Sequence, residues 1–498
     1  MHSLKSVVRM KELRRKVLIP AFQLSELADE SDTDALERVI KQGKGHPALS
    51  YKYRLGRSGE LGCRYNLFPI VLDRTSAPWT LGTLFILSKL QDETLPVMAT
   101  SHSRADDIGA FKEWLDCHDS PENLLFNFPK PKLRRTTYRY QGFLKQQIKA
   151  GELKAATAKR RMGTVISFYK WLISNNYFTP EHAAWEERDY QFSTKTTDGR
   201  IFSISVSSTD LSINAPKTES DFDGVIEDGG NLRPLSRKEQ DWILEAAEVK
   251  GNSEILLLQL FMLSTGARIE SACTLRARHF LDPNPAFSKS LTGDGQVYRL
   301  KSGPGTGIET KKNKIGTFQV PRNLYELLST YAHSARAKVR KARYAAKHGA
   351  HHDIYLFITT QGSPYYSAKE DLQKFNPDLG RRYSKNGQGL RQFIKDHAIP
   401  YVRARYDERF FYRPHDLRAS YGMNMTDEMM KLVQEGKITL NKARLNVKDL
   451  MWHSSMAITD RYLNYKNDLD VAYQAINLYG NRLRHWTDRA MKGLSIDD

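Results

Sequence analysis

The chain has 498 residues, more than one ordinary hydrophobic core holds, so roughly two to four domains are expected. Its 76 Lys and Arg against 57 Asp and Glu give a formal charge of +19, a balance that favours a polyanionic partner, nucleic acid first, over an acidic one. Three cysteines, Cys63, Cys117 and Cys273, stand far apart without a Cys-x-x-Cys pair, which argues against a disulfide framework or a zinc knuckle and for a reducing cytosol. The opening Met1-His2-Ser3-Leu4-Lys5 has no apolar signal core, and the runs 255–258 and 260–263 are too short to span a bilayer. No membrane is expected among the partners.

Residues 1–75 combine a basic opening, an acid-rich stretch from Leu24 to Ile40 that reads as helical, and a Gly, Arg and Tyr segment from Ser50 to Leu72 suited to short strands. No role can be assigned to this N-terminal extension. From Pro78 apolar residues return every three or four positions, through Leu81, Leu84, Phe85 and Leu87, then Ile108, Phe111 and Leu115, then Tyr140, Leu144 and Ile148. The clearest helix is Thr157 to Asn175, carrying Met162, Val165, Ile166, Tyr169, Leu172 and Ile173, with Thr157 as its N-cap. A helical bundle over 76–185 is the expectation. Basic clusters at 130–139 and at Lys154, Lys159, Arg160 and Arg161 suit either solvated faces or contacts to phosphates along a duplex. The Ser- and Asp-rich stretch Gln191 to Gly230 reads as a linker or an inserted hairpin, and 186–232 separates the bundle from the C-terminal half of the chain.

A second domain, 233–498, opens on Ser236 and Glu239, spaced as a capping box before a helix with Ile243, Leu244 and Ala247. The apolar helix Glu254 to Ser264 ends at Gly266. Gln296–Leu300, Gly316–Val320 and Ile354–Ile358 are β-prone, and helical patterns dominate the remainder. The fold class expected is mainly α with a small β-sheet, an α+β arrangement. Ala335 to His352, rich in Arg and Lys, and the polar run Lys369 to Gln392 read as insertions. Gly303, Gly305 and Gly307 have no Gly-Lys-Ser/Thr after them, so they suit a hairpin rather than a nucleotide loop.

Three segments carry chemistry: Ser264-Thr265-Gly266-Ala267-Arg268, Pro414-His415-Asp416-Leu417-Arg418, and His453-Ser454-Ser455 followed by Tyr462. A guanidinium pairs bidentately with phosphate oxygens, and a tyrosine hydroxyl can attack the phosphorus so held. His415 and Arg418, three apart on a helix, face the same way. Each segment alone has an ordinary structural explanation: a helix-capping arginine, a surface pair, a packed histidine and tyrosine. Their ordered combination favours one phosphodiester site.

That order resembles the tyrosine recombinase, or phage integrase, family of site-specific recombinases. The likeness covers 233–480 as the catalytic domain and, more loosely, 76–185 as the helical, SAM-like core-binding domain. It implies DNA recombination, in which Tyr462 attacks to give a 3′-phosphotyrosyl intermediate while Arg268 and Arg418 clamp the scissile phosphate. His415 would take or share the proton, His453 would add a hydrogen bond, and a lysine on a hairpin after the first arginine would protonate the leaving oxygen. Lys311 fits that last position and Lys312 is its rival, because a one-residue slip exchanges the faces of a strand. The resemblance further implies no cofactor or metal, double-stranded DNA as substrate, and a homo-tetramer on two DNA sites with accessory DNA-bending or partner recombination proteins. It implies DNA integration or excision of a mobile genetic element, in a bacterial cytoplasm at the nucleoid.

The chain departs from the family pattern in places. Ser271 stands where an acid often follows the first arginine by three, leaving that arginine's partner open. Trp452 replaces a common glycine before the second histidine. The stretch from Arg418 to His453 is long enough for extra helix over Thr426 to Ile438. Tyr465 competes with Tyr462 as nucleophile. A relaxing enzyme of the type IB topoisomerase kind and a non-catalytic DNA-binding regulator are the alternative functions. An apolar stripe through Ala472, Tyr473, Ile476, Tyr479, Leu483 and Trp486 suits packing on a neighbouring subunit or in cis.

Overall fold

A computed structural model of the chain describes residues 15–29, 31, 33, 35–40, 49–55, 63–93, 96–195, 201–215, 225–289, 296–349, 353–377, 385–465, 478–482 and 484. Their packing divides the chain into two units, residues 1–218 with 372–384, and residues 219–371 with 385–498. Helices predominate in both, joined by small antiparallel sheets. Among the described residues no helix is long and apolar enough to cross a membrane.

In the first unit, helices Thr80–Gln91, Met98–Asp116, Thr136–Lys149 and Ala155–Ser174 enclose an aromatic core. Phe85, Phe111, Tyr140, Phe168 and Tyr169 are completely buried there. Phe111 meets Tyr140 edge to face at 4.9 Å, the arrangement ring quadrupoles favour. Strand Lys16–Gln23 pairs with Arg64–Val71, and Tyr65, Phe68 and Val71 of the latter join the same core. The last helix starts at Ala155 with Lys154 at its N-cap, so Thr157 lies inside its first turn rather than capping it. The expected helix from Leu24 to Ile40 does not form. Ser25–Leu27 and Leu36–Ile40 are instead strands flanking Leu49–Leu55, where cross-strand pairing overrides a local preference that few apolar residues reinforce. A hairpin pairs Glu187–Lys195 with Ile201–Thr209.

The basic clusters of this unit divide in two. Arg135 donates to the carbonyls of Pro129, Ala183 and Lys130, and Lys132 pairs with Glu186 and Asp210. Those side chains hold the fold together. Lys130, Arg134, Lys154 and Lys159 are exposed.

The second unit is built around helix Ser253–Thr265, whose Ile255, Leu257, Leu258, Phe261 and Met262 are all buried. A helix apolar on every side belongs in a core, and this one packs with Arg237–Val249, Arg322–His333, Pro414–Gln434 and the strand Gly316–Pro321. Ser236 and Glu239 form the capping box their spacing predicts. Strand Gln296–Ser302 lies between Phe287–Lys289 and Gly316–Pro321. The β-prone run Ile354–Ile358 makes isolated bridges only, Arg276 to Tyr355 and Ile358 to Pro364. Its apolar side chains are absorbed by the core without a neighbouring strand to extend a ladder. The basic run after Ala335 is a helix, Ala335–His348, fastened by Arg336 and Arg340 to the fully buried Glu254. Helix Pro414–Gln434 continues well past Arg418 and is followed by Leu440–Met451, which accounts for the long spacing to His453. A further helix, 456–465, carries Tyr462. Of the C-terminal stripe, Tyr479 is exposed, and Ala472, Tyr473, Ile476, Leu483 and Trp486 lie outside the described residues.

Candidate active site

Helix Ser253–Thr265 stops because Gly266 takes a left-handed conformation (φ 66°), which a residue without Cβ adopts at little cost. The chain then turns so that Arg268 directly precedes the short helix Ile269–Cys273. Arg418 lies on the buried side of Pro414–Gln434 and is 3% exposed. It joins three elements: Nη1 donates to the Gly266 carbonyl at 2.8 Å, Nη2 donates to the Met451 carbonyl, and Nε donates to Asp228 Oδ2 at 3.0 Å. The start of the Pro414–Gln434 helix is fixed by Asp416, which accepts from the backbone N–H groups of Arg233 and Arg413.

Asp228 is the centre of the cluster. It forms, with Gly229 and Gly230, the tip of a small hairpin in which Ile226–Glu227 pairs with Asn231–Leu232. Its carboxylate, 4% exposed as a residue, lies 3.9 Å from Arg268 Nη2 and 3.5 Å from His453 Nε2. The Tyr462 hydroxyl donates to Oδ2 at 3.3 Å. Burial opposes ionisation of this carboxyl, but His453, Arg418 and Arg268 outweigh it and hold the acid well below the usual carboxylate range.

His453 Nδ1 lies 3.0 Å from Thr459 Oγ1, which turns Nε2 toward Asp228. Burial lowers this histidine's affinity for a proton, and Asp228 pulls the other way. Its ring stacks on Tyr462 with centroids 5.4 Å apart. Tyr462 is itself completely buried; burial first, then the charge of Asp228, push its phenol well above the ordinary tyrosine value. Space for the ring comes from Gly422, where a Cβ would fall 2.4 Å from Tyr462 Cε1. His415 shares the neighbourhood of Arg268, Arg418, Asp228 and Lys311, and burial followed by the two arginine charges lowers it to about 4. Arg268 Nε, His415 Nε2 and His453 Nε2 are buried without a hydrogen-bond partner among the described residues.

The lysine segment runs between strands Gln296–Ser302 and Gly316–Pro321. Lys311 opens a short turn, 311–313, and its Nζ is near enough to the hairpin tip that a Cβ on Gly229 would lie 2.9 Å from it. Lys312 has a left-handed backbone (φ 59°). Lys314 Nζ donates to the carbonyl of Trp452 at 2.6 Å; burial, then Arg268, Arg418 and Lys448, hold its ammonium below the ordinary lysine value. Trp452 itself takes the left-handed conformation (φ 52°) that ends Leu440–Met451, so it does a glycine's backbone task while its indole packs on Phe318 at 4.4 Å.

Arg268, His415, Arg418, His453 and Tyr462 therefore come together, with Lys311 at the border and Tyr465 one helical turn beyond Tyr462. Sequence reasoning missed Asp228, which is the acid nearest Arg268 in place of one at position 271; Ser271 instead donates to the Glu309 carbonyl at 2.6 Å. The Asp-Gly-Gly turn signal was legible, its destination was not. Thr459 was also missed, because it stands in no spacing that marks it, and Lys314 was legible only as the second lysine after the turn, with no role of its own. Among the described residues no group of three or more His, Cys, Asp or Glu is placed to hold a metal ion.

No family model matches the chain, and no curated protein matches it. Solved structures do. The chain is similar to the XerH site-specific recombinase bound to palindromic difH substrate in a post-cleavage complex, at 13% identity over 81% of this chain and 90% of that one, TM-score 0.39. It is similar to the Tn1549 transposon integrase in complex with transposon right end DNA, at 13% identity over 79% and 98%, TM-score 0.38. A lambda integrase dimer bound to a COC′ core site aligns at 14% identity over 76% and 93%, TM-score 0.35.

Proposed function

We propose that the chain is a tyrosine recombinase, cutting and rejoining DNA strands through Tyr462. One observation carries the reading: two arginines, a histidine and a tyrosine hydroxyl, drawn from separate segments, converge within 3.9 Å on a single carboxylate. A site so rich in donors suits a phosphodiester, whose charge grows in the transition state where preorganised donors act most strongly.

In this mechanism Arg268, Arg418 and His453 hold the non-bridging oxygens of the scissile phosphate. Tyr462 Oη attacks phosphorus, forming a phosphotyrosyl ester as the bond to the 5′ oxygen breaks. His415, neutral at pH 7 because its proton affinity is lowered to about 4, accepts the phenolic proton. Lys311 supplies a proton to the departing 5′ oxygen. A 5′ hydroxyl from a partner duplex then reverses the step, and one phosphoester is exchanged for another without ATP.

The reading extends to integration or excision of a mobile genetic element by a homo-tetramer on paired sites, with accessory DNA-bending proteins, in a bacterial cytoplasm. Residues 76–185 would serve as the core-binding domain and 233–498, with the hairpin that precedes it, as the catalytic domain. A duplex nicked beside the cleavage point tests the proposal, since the released strand end diffuses away and traps the intermediate. A covalent protein–DNA band that peptide sequencing maps to Tyr462, and that Tyr462→Phe abolishes, is the expected result; DNA binding without attachment overturns it.

A further inference from the structure

We propose that Asp228 is a built-in stand-in for the scissile phosphate, occupying the seat of the DNA backbone until the substrate displaces it. This rests on the recombinase reading for the identity of the phosphate, and it assigns that site a gate.

Every group with a phosphate-binding or attacking role in the proposed mechanism already approaches this one side chain. Arg418 Nε is 3.0 Å from Oδ2, His453 Nε2 is 3.5 Å from it, and the Tyr462 hydroxyl donates to it at 3.3 Å. Arg268 Nη2 approaches Oδ1 at 3.9 Å. A carboxylate and a phosphodiester present the same kind of anionic acceptor to guanidinium groups, so either fits. They cannot be seated together: for in-line attack the phosphorus must lie against Tyr462 Oη, where the carboxylate now lies. The fit of the carboxylate is also incomplete. Arg268 Nε, His415 Nε2 and His453 Nε2 are buried without a hydrogen-bond partner among the described residues, so the carboxylate leaves polar atoms of the cluster unsatisfied.

The hairpin is built to let its tip move while its base stays. Ile226 and Leu232 are 2% and 4% exposed and pack in the cluster that includes Tyr462, and Arg461 Nη1 donates to the Glu227 carbonyl at 2.6 Å. The tip is closed by one backbone hydrogen bond, Asp228 N–H to the Gly230 carbonyl at 3.1 Å, and Gly229 at φ 72° can change conformation more freely than any residue with a Cβ. A gate of this kind lowers the apparent affinity of any phosphate by the fraction of molecules in which the seat is open. It keeps the nucleophile from bonds that do not bring enough further contacts to displace the carboxylate.

The test uses inorganic phosphate with the full-length chain, by calorimetry, alongside capture of the nicked duplex. Asp228→Asn keeps the size of the side chain and removes its charge, and is expected to bind phosphate at least about tenfold more tightly than the unaltered protein and to form the covalent band faster. Phosphate affinity unchanged or weakened in Asp228→Asn overturns the gate and makes Asp228 a positioning residue for the arginines. If phosphate binding tightens but no duplex is ever attached, the gate stands and the recombinase reading fails; attachment with unchanged phosphate affinity gives the reverse. Should Asp228→Asn not fold, hydrogen exchange on the unaltered protein decides: saturating phosphate must speed exchange of the Asp228 amide as the tip opens, and unaltered exchange overturns the proposal.

Discussion

The hydroxyl of Tyr462 and the carboxylate of Asp228 stand 3.3 Å apart across 234 residues of chain. The same carboxylate oxygen lies 3.0 Å from Arg418 Nε, so one acid orients the tyrosine and neutralises the arginine at once. The phenol is thereby kept protonated and buried, beside cations that would favour the phenolate if the carboxylate were removed.

Gly422→Ala tests how narrowly Tyr462 is seated. The added methyl would come within 2.4 Å of the tyrosine ring and 3.0 Å of Met451 Cε, and both neighbours are buried. Overpacking of this kind costs about 1–3 kcal/mol. The expected outcome is a lowered denaturation midpoint together with slowed covalent capture of a nicked duplex; a fully active, equally stable variant would show that the ring has room to spare.

Arg418 and Arg268 should separate in what they lose. Arg418 bonds the Gly266 and Met451 carbonyls besides Asp228, so Arg418→Ala leaves two buried carbonyls without that donor and takes from Asp228 its shortest cationic partner, at about 3–5 kcal/mol of stability. Arg268 gives up only a long 3.9 Å pairing, and Arg268→Ala is expected to cost less stability than Arg418→Ala while abolishing covalent capture. Urea denaturation of both variants, with Arg268→Ala the less stable, would contradict this division.

Stability should rise with pH in a window that His415 shares with His279, whose proton affinity burial also lowers to about 4. Burial and the two arginine charges lower the folded value of His415 to about 4, whereas an unfolded histidine titrates near about 6.5. Between these values the unfolded chain binds more protons, so the contribution is complete above the unfolded value and is lost as pH falls toward the folded one. Asp228 acts at lower pH. Its depressed acid gives stability that is present above the ordinary carboxylate value and lost as pH falls below it. His415→Asn should reduce the slope of the upper limb of a stability–pH curve and leave the lower one; an NMR titration placing His415 near 6.5 would sink its share of the window and its role as a neutral base.

The features legible in the sequence were local. Apolar spacing gave the helices around Phe111, Tyr140 and Phe168, the Ser236 and Glu239 spacing gave a capping box, and His415 with Arg418 shared a face because three residues make nearly one turn. The illegible features depended on partners distant in sequence. Asp228 sat in a polar stretch with no catalytic spacing, and only the packing of its hairpin beneath Tyr462 gives it meaning. The strands Ser25–Leu27 and Leu36–Ile40 exist because Leu49–Leu55 pairs with both, and the basic helix after Ala335 has its place because Glu254, buried on another helix, fastens Arg336 and Arg340. Trp452 shows the limit of reading a motif by residue type, since the left-handed conformation of the missing glycine is kept by a tryptophan held on Phe318.

Lys311 and Lys314 can be told apart by the chemistry of the leaving group. Lys311 Nζ stands at the tip of the Asp228 hairpin, at the border of the seat assigned to the phosphate, whereas Lys314 Nζ is bound to the carbonyl just before His453. A lysine that protonates the departing 5′ oxygen is dispensable when that oxygen is replaced by sulfur, because a thiolate leaves without a proton. Lys311→Ala should slow cleavage of an ordinary duplex by about 10²–10⁴-fold and regain most of that loss on a duplex carrying a 5′-bridging sulfur. Lys314→Ala should be slowed equally on both duplexes, since it disturbs the placement of His453 and not the proton delivered. Rescue of Lys314→Ala but not Lys311→Ala by sulfur would exchange the two assignments and move the proton donor to the lysine whose charge burial and the arginines already destabilise.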